Sequence, residues 1–126
     1  MAINSKAKGA AGEREIAGIL RDVYGYTEAK RGQQYCGLAG NADVVDALPG
    51  IHMEVKRVEK LHFYDAMEQA KRDARPGEMP AVFHRKNRSG WLVTMELDDF
   101  MRIYREWESS CVITMDYKEI AGMVKK

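Results

Sequence analysis

Apolar residues recur along this chain at two different spacings, and the change of spacing marks out its elements. Ile16, Ile19, Leu20 and Val23 fall at helical intervals, which predicts a first helix starting within residues 5–9, running to about Tyr24 and stopping at Gly25. Glu13 lies on the buried side of that stripe, Arg14 on the opposite face and Glu15 near its edge. A carboxylate aimed at a core costs several kcal/mol unless it is paired or bound to metal. Glu13 is therefore the odd residue of the helix.

Residues 27–35 read as an extended segment, and the glycines at 32, 37 and 40 mark a loop ahead of the next pair of strands. In residues 41–57 the spacing drops to two, with Pro49-Gly50 in the central positions of a type II turn. Glu54 and Lys56 then share one face of the second strand, and Met53 and Val55 share the other. With Pro49-Gly50 as the whole loop, Leu48 pairs with Ile51, Val45 with Glu54 and Asp43 with Lys56. Asp43 then shares a side with Glu54, and Asp46 lies with Met53 and Val55. A slip of one residue exchanges the two aspartates. His52 is expected on the Asp46 side, as packing.

A second helix fits residues 63–75, with Phe63, Met67, Ala70 and Ala74 on one face and Pro76-Gly77 closing it. Residues 80–86 and 90–94 read as strands around a polar turn. A third helix over about 96–107 is expected to bury Leu97, Phe100, Met101 and Tyr104, with Asp98 and Asp99 suiting the positive end of its dipole. Residues 111–126 fit no clear pattern beyond a short helix near 117–124. The order of helix, three strands, helix, strand, further strand and C-terminal helix predicts an α/β fold, a central mixed sheet flanked by helices. No repeat or linker interrupts it, so residues 1–126 read as a single domain.

Composition narrows the class. An apolar share of 45% with 31% charged residues suits an ordinary globular chain. No apolar run approaches the roughly 20 residues of a membrane span, and no signal-peptide core opens the chain, so a cytoplasmic location is expected. Cys36 and Cys111 form no C-x-x-C or Cys/His cluster, which argues against a disulfide framework and a zinc site. His52, His62 and His84 share no metal-ligand spacing. A net charge of +1 alone argues against a nucleic-acid binder. The distribution says more: basic residues gather around Lys8, Lys30-Arg31, Lys56-Arg57, Lys71-Arg72 and 84–88, while acids collect around the Glu54 strand and in the C-terminal third.

Two carboxylates and a lysine on adjoining strands suit metal-dependent phosphodiester cleavage. A hard ion such as Mg²⁺ takes one or two carboxylates, with water and substrate oxygens completing its shell. Asp43, Glu54, the main-chain carbonyl of Val55 and Glu13 are the candidate metal ligands. Lys56 would orient or deprotonate the attacking water, or stabilise charge on the phosphorus. Arg31, Arg85 and Arg88 are candidate phosphate contacts, and Trp91, Tyr104 and Trp107 read as core or interface.

The run Lys8-Gly9-Ala10-Ala11-Gly12-Glu13-Arg14-Glu15-Ile16, followed by Gly25-Tyr26, Arg31, Asp43 and Glu54-Val55-Lys56, resembles the archaeal-type Holliday junction resolvases. It is especially similar to their phage-encoded relatives in the PD-(D/E)xK nuclease superfamily. The resemblance covers roughly residues 6–91, with Ala42 where the family has proline. It implies a restriction endonuclease-like core and catalytic roles for Glu13, Asp43, Glu54 and Lys56. Lys8 falls within the matched segment and joins the DNA-binding candidates. Gln69 is similar to a glutamine that follows the Glu-x-Lys strand in related phage nucleases, although helical spacing sets it away from the Met67/Ala70 face. The function implied is an Mg²⁺-dependent endonuclease, with Mn²⁺ able to substitute, cutting branched DNA as a homodimer. The alternatives are a nicking or single-strand-directed nuclease with the same centre, and a non-catalytic DNA-binding or assembly protein on the same fold.

Overall fold

The computed structural model describes residues 5–32 and 42–110, with side chains from Lys8 onward. The glycine-containing loop expected at 32–40 lies outside that range from Gln33 on, as does the short helix expected near 117–124. By its contacts the chain divides into two compact units, Met1–Glu96 and Leu97–Lys126.

In the first unit, α1 (Ser5–Asp22) leads into β1 (Lys30–Arg31), β2 (Val44–Val45) and β3 (Ile51–Arg57). These are followed by α2 (Phe63–Asp73), β4 (Met79–Arg85) and β5 (Leu92–Met95). The strands form one mixed sheet in the order β1-β2-β3-β4-β5. The β3/β4 pair is parallel and joined through α2, while the other neighbours are antiparallel. This is the expected α/β architecture, consistent with a restriction endonuclease-like core.

Strand alternation gives the sheet two cores. Met53, Val55, Ala81 and Phe83 face one way and pack with Ile16, Ala17 and Leu20 of α1. Val82 packs on the other side with Ala66, Met67 and Ala70 of α2. The first helix stops earlier than its stripe suggests. Gly25 turns left-handed at φ +82° and Tyr26 N–H closes onto the Leu20 carbonyl, which leaves Val23 68% exposed. Phe63 is also exposed, its ring edge-on to His84 at 5.4 Å.

Two glycines of α1 have opposite surroundings. A Cβ on Gly12 would stand 2.8 Å from Cβ of Arg57, an atom too close to the β3 backbone to swing aside, whereas nothing lies within 4 Å of one on Gly9. Gly9→Ala should raise stability by about 0.5–1 kcal/mol through helix propensity. Gly12→Ala should lower it by about 1–2 kcal/mol as α1 is pushed off the sheet. Chemical denaturation of the two variants would expose the error if their order were reversed.

The β2–β3 connection corrects the expected register. The turn itself is present: Gly50 has φ +90° and Ile51 N–H donates to the Leu48 carbonyl at 3.0 Å. Asp46 and Leu48 are also left-handed, at φ 60° and 49°. The connection is therefore longer than two residues, and Val44 rather than Asp46 pairs with Met53. The shift is an even one, so it preserves every side-chain face.

In the second unit, α3 (Leu97–Ser110) stacks Phe100 against Tyr104 and Tyr104 against Trp107, with centroids 6.3 and 5.6 Å apart. The expected burial of its stripe does not hold: Leu97 and Phe100 are exposed and Met101 and Tyr104 only half-buried. Helical amphipathicity identifies an apolar side but not what covers it. Among the described residues no helix is long and apolar enough to cross a membrane.

Candidate active site

Asp43 sits where the sheet's pairing runs out. Its N–H donates to the Met53 carbonyl at 2.9 Å, and its own carbonyl accepts from Gly32 N–H at 2.9 Å. Its Oδ2 accepts from Val55 N–H at 2.8 Å. The aspartate side chain thus serves as acceptor for a β3 backbone N–H. These bonds hold the carboxylate beside β3.

Glu54 is 1% exposed on the same face, and Glu13 of α1, 8% exposed, completes a group of three carboxylates. Burial, then the charge of Glu54, pushes the Asp43 pKa from its usual 3.8 up to about 7; the Val55 N–H opposes this and Glu13 adds to it. Oε2 of Glu54 is buried and meets no hydrogen-bond partner among the described residues. Arg31 donates through Nε to Oε2 of Glu13 at 2.7 Å and offsets part of the negative charge. So much carboxylate in so little solvent fits a hard divalent cation, whose oxygen-ligand demand this set meets.

Lys56 lies further along the same strand face, and its Nζ donates to Oε1 of Gln69 at 2.8 Å. Gln69 had been expected away from the Met67/Ala70 face. Instead it is half-buried, and its amide reaches across from α2 to the lysine.

Asp46 is not part of this group. It stands in the connection after β2, 54% exposed, with Oδ2 3.5 Å from Lys30 Nζ. Arg85 is drawn into the fold: it forms a two-pronged pair with Glu15 at 2.7 and 3.0 Å, and its guanidinium lies 5.8 Å from the centre of the Trp91 ring. Trp91 also donates to Glu15 at 3.0 Å. The Arg85 hydrogen bonds, with that of Trp91, hold the Glu15 carboxyl below its usual range against a smaller effect of burial. Arg88 is exposed in the β4–β5 turn and Lys8 is half-buried in α1. His84, counted within the basic run at 84–88, is buried against Thr94 at 2.8 Å, and burial lowers its pKa. It adds no charge to a phosphate-binding rim.

His52 lies on the opposite side of the strand from the one expected. It is fully buried on the Glu54 face, and its Nε2 is 3.0 Å from Oε1 of Glu54. Burial opposes charging this ring, but the bond to Glu54 and the charges of Glu54, Glu78 and Asp73 outweigh it and raise the pKa. The spacing of two that groups Glu54 with Lys56 also groups them with His52, and that was the signal available in the sequence.

A family model described as "Phage putative PDDEXK endonuclease" matches residues 4–125 of the chain. No curated protein and no solved structure matches it.

Proposed function

Because the chain belongs to the family of phage putative PDDEXK endonucleases, we propose that it is a Mg²⁺-dependent DNA endonuclease whose centre is Glu13, Asp43, Glu54 and Lys56. The observation that carries this reading is the buried trio of carboxylates beside a lysine held by Gln69. Asp43, Glu54 and the Val55 carbonyl hold the ion, with Glu13 as a further ligand or an acid just outside its shell. When bound, Mg²⁺ supplies Lewis-acid polarisation of the scissile phosphate and acidifies a water.

The chain's own groups do the positioning. Asp43 is fixed by Val55 N–H, which keeps its carboxylate beside Glu54. Lys56 has three ammonium protons, of which Gln69 accepts one. The other two serve to orient the attacking water or to meet the charge that grows on phosphorus. Arg31 tempers the charge of Glu13. Lys8 and Arg88 contact backbone phosphates, and Arg85 steadies that edge through Glu15 and Trp91.

Branched DNA cut by a homodimer is the finer part of the proposal. Its support is the resemblance of residues 8–16 and 54–56 to the junction resolvases, and a resolvase must cut two strands symmetrically. The test is digestion of four-way junction, supercoiled, single-stranded and linear duplex DNA with Mg²⁺, with EDTA as control. Junction cleavage that stops in EDTA is expected. Folded protein that cuts none of these substrates would sink the nuclease reading. Equal cutting of junction and linear duplex would remove only the branch selectivity.

Gln69→Ala should lower the cleavage rate about 10- to 100-fold through a loosened Lys56, with Mn²⁺ affinity unchanged by titration. A variant as fast as the parent would rule Gln69 out as a support for the lysine.

A further inference from the structure

Two polar residues of α2 lie along the polar face of β3. Along the strand, His52, Glu54 and Lys56 stand two residues apart, about 6.6 Å per step. On the helix, Gln69 and Asp73 are one turn apart, about 6 Å. Lys56 meets Gln69 at one end of this ladder, and at the other a ring nitrogen of His52 lies within 4.8 Å of an Asp73 carboxylate oxygen. Glu54 lies between them.

We propose that His52, Glu54 and Asp73 form a second cation site, one that takes a first-row transition-metal ion such as Mn²⁺ in preference to Mg²⁺. It rests on the reading above only in that Glu54 belongs to both sites. Each of the three residues offers one ligand atom, and these atoms all lie within 4.8 Å of one another. Neighbouring ligand atoms around a first-row ion bound at ~2.1 Å stand about 3 Å apart. The widest spacing around such an ion is ~4.2 Å, so small rotations complete the set.

A second, independent observation points the same way. His52 Nδ1 is buried, on a side chain 0% exposed, and finds no hydrogen-bond partner among the described residues. A polar atom stranded in this way is uncommon and calls for an ion or a ligand. The surroundings are strongly negative. Glu78 Oε1 stands 4.0 Å from His52 Nδ1, so Glu54, Asp73 and Glu78 surround one imidazole. Asp73 is the last residue of α2, where the helix dipole also favours a cation. Asp73 and Glu78 are only partly buried and give an ion a way in. An imidazole among carboxylates selects Mn²⁺, Fe²⁺ or Zn²⁺ over Mg²⁺, whereas the all-oxygen set around Asp43 does not.

The experiment is pulsed EPR of Mn²⁺ bound to the intact chain without a histidine tag, in excess Mg²⁺, with DNA cleavage measured in parallel. A directly bonded imidazole nitrogen is expected in the wild type, retained in Asp43→Asn and lost in His52→Gln. Asp73→Asn should bind this Mn²⁺ at least about tenfold more weakly. Because its side chain is not fully buried, that variant keeps the test decisive if His52→Gln fails to fold. Folded wild-type protein saturated with Mn²⁺ but showing no bound nitrogen would overturn the proposal. So would nitrogen coupling that survives His52→Gln, or unchanged affinity in Asp73→Asn. Nitrogen coupling without DNA cleavage would sink the nuclease reading alone, and cleavage without nitrogen coupling would sink only the second site.

Discussion

Glu54→Gln is expected to lower Mg²⁺-dependent cleavage by about 10³-fold while making the metal-free protein more stable. The two effects have one cause. Glu54 is 1% exposed and its charge is the second-largest influence, after burial, pushing the Asp43 pKa upward. As glutamine it keeps its shape and can still accept a hydrogen bond from His52, but it no longer repels Asp43 or offers a charged oxygen to the ion. Removing one preorganised group of this kind costs about 10²–10³ in rate, and the loss of a charged metal ligand sets the effect at the upper end. Relief of a strained functional site commonly adds about 0.5–2 kcal/mol of stability, a rise of a few degrees in melting temperature for a chain of this size. Cleavage assays in Mg²⁺ and thermal unfolding in EDTA read the two effects separately. A variant that loses activity and stability together would show that Glu54 is a structural acid held by His52, and the trio would then no longer argue for a metal centre.

The part of this centre visible in the sequence was the part governed by local spacing. Glu13 stands out because a helix stripe turns a carboxylate inward, and Glu54 and Lys56 because a strand repeats every two residues. Asp43 was placed on the correct face although its expected pairing with Lys56 does not occur. Left-handed Asp46 and Leu48 lengthen the connection by an even number of residues, and side-chain facing depends only on parity. What spacing does not encode is which distant side chain arrives to meet another. Gln69 reaches Lys56 across 13 residues and Arg85 reaches Glu15 across 70. Both meetings depend on how α1 and α2 settle on the sheet. The same holds for the basic residues: Arg31, Arg85 and Lys30 are each engaged by an acid from another element. His52 is a different case, since the strand's period alone places it with Glu54.

The same crowding of carboxylates sets the response to pH. The folded-state pKa of Asp43, about 7, lies above its ordinary 3.8, the reverse of the usual aspartate. Between these values the unfolded chain has lost this proton and the folded chain keeps it. The stabilisation is therefore complete below about pH 4 and lost as pH rises through about 7. The loss is up to about 4 kcal/mol for a shift of this size. His52, whose pKa is raised, acts in the same direction near neutrality, and His84, whose pKa is lowered, acts against it. Glu15, held low by Arg85, matters only in acid, where its contribution disappears as pH falls. Metal-free protein should therefore become less stable from pH 5 to pH 8, and Asp43→Asn should flatten that decline. Mg²⁺ should reverse it, because at pH 5 the ion must displace the Asp43 proton and at pH 8 it meets a carboxylate already ionised. The Mg²⁺-induced rise in melting temperature should accordingly be larger at pH 8 than at pH 5. Calorimetry at the two pH values, with and without Mg²⁺, decides the matter. An equal Mg²⁺ effect at both, or one that survives Asp43→Asn undiminished, would place the ion somewhere other than on Asp43.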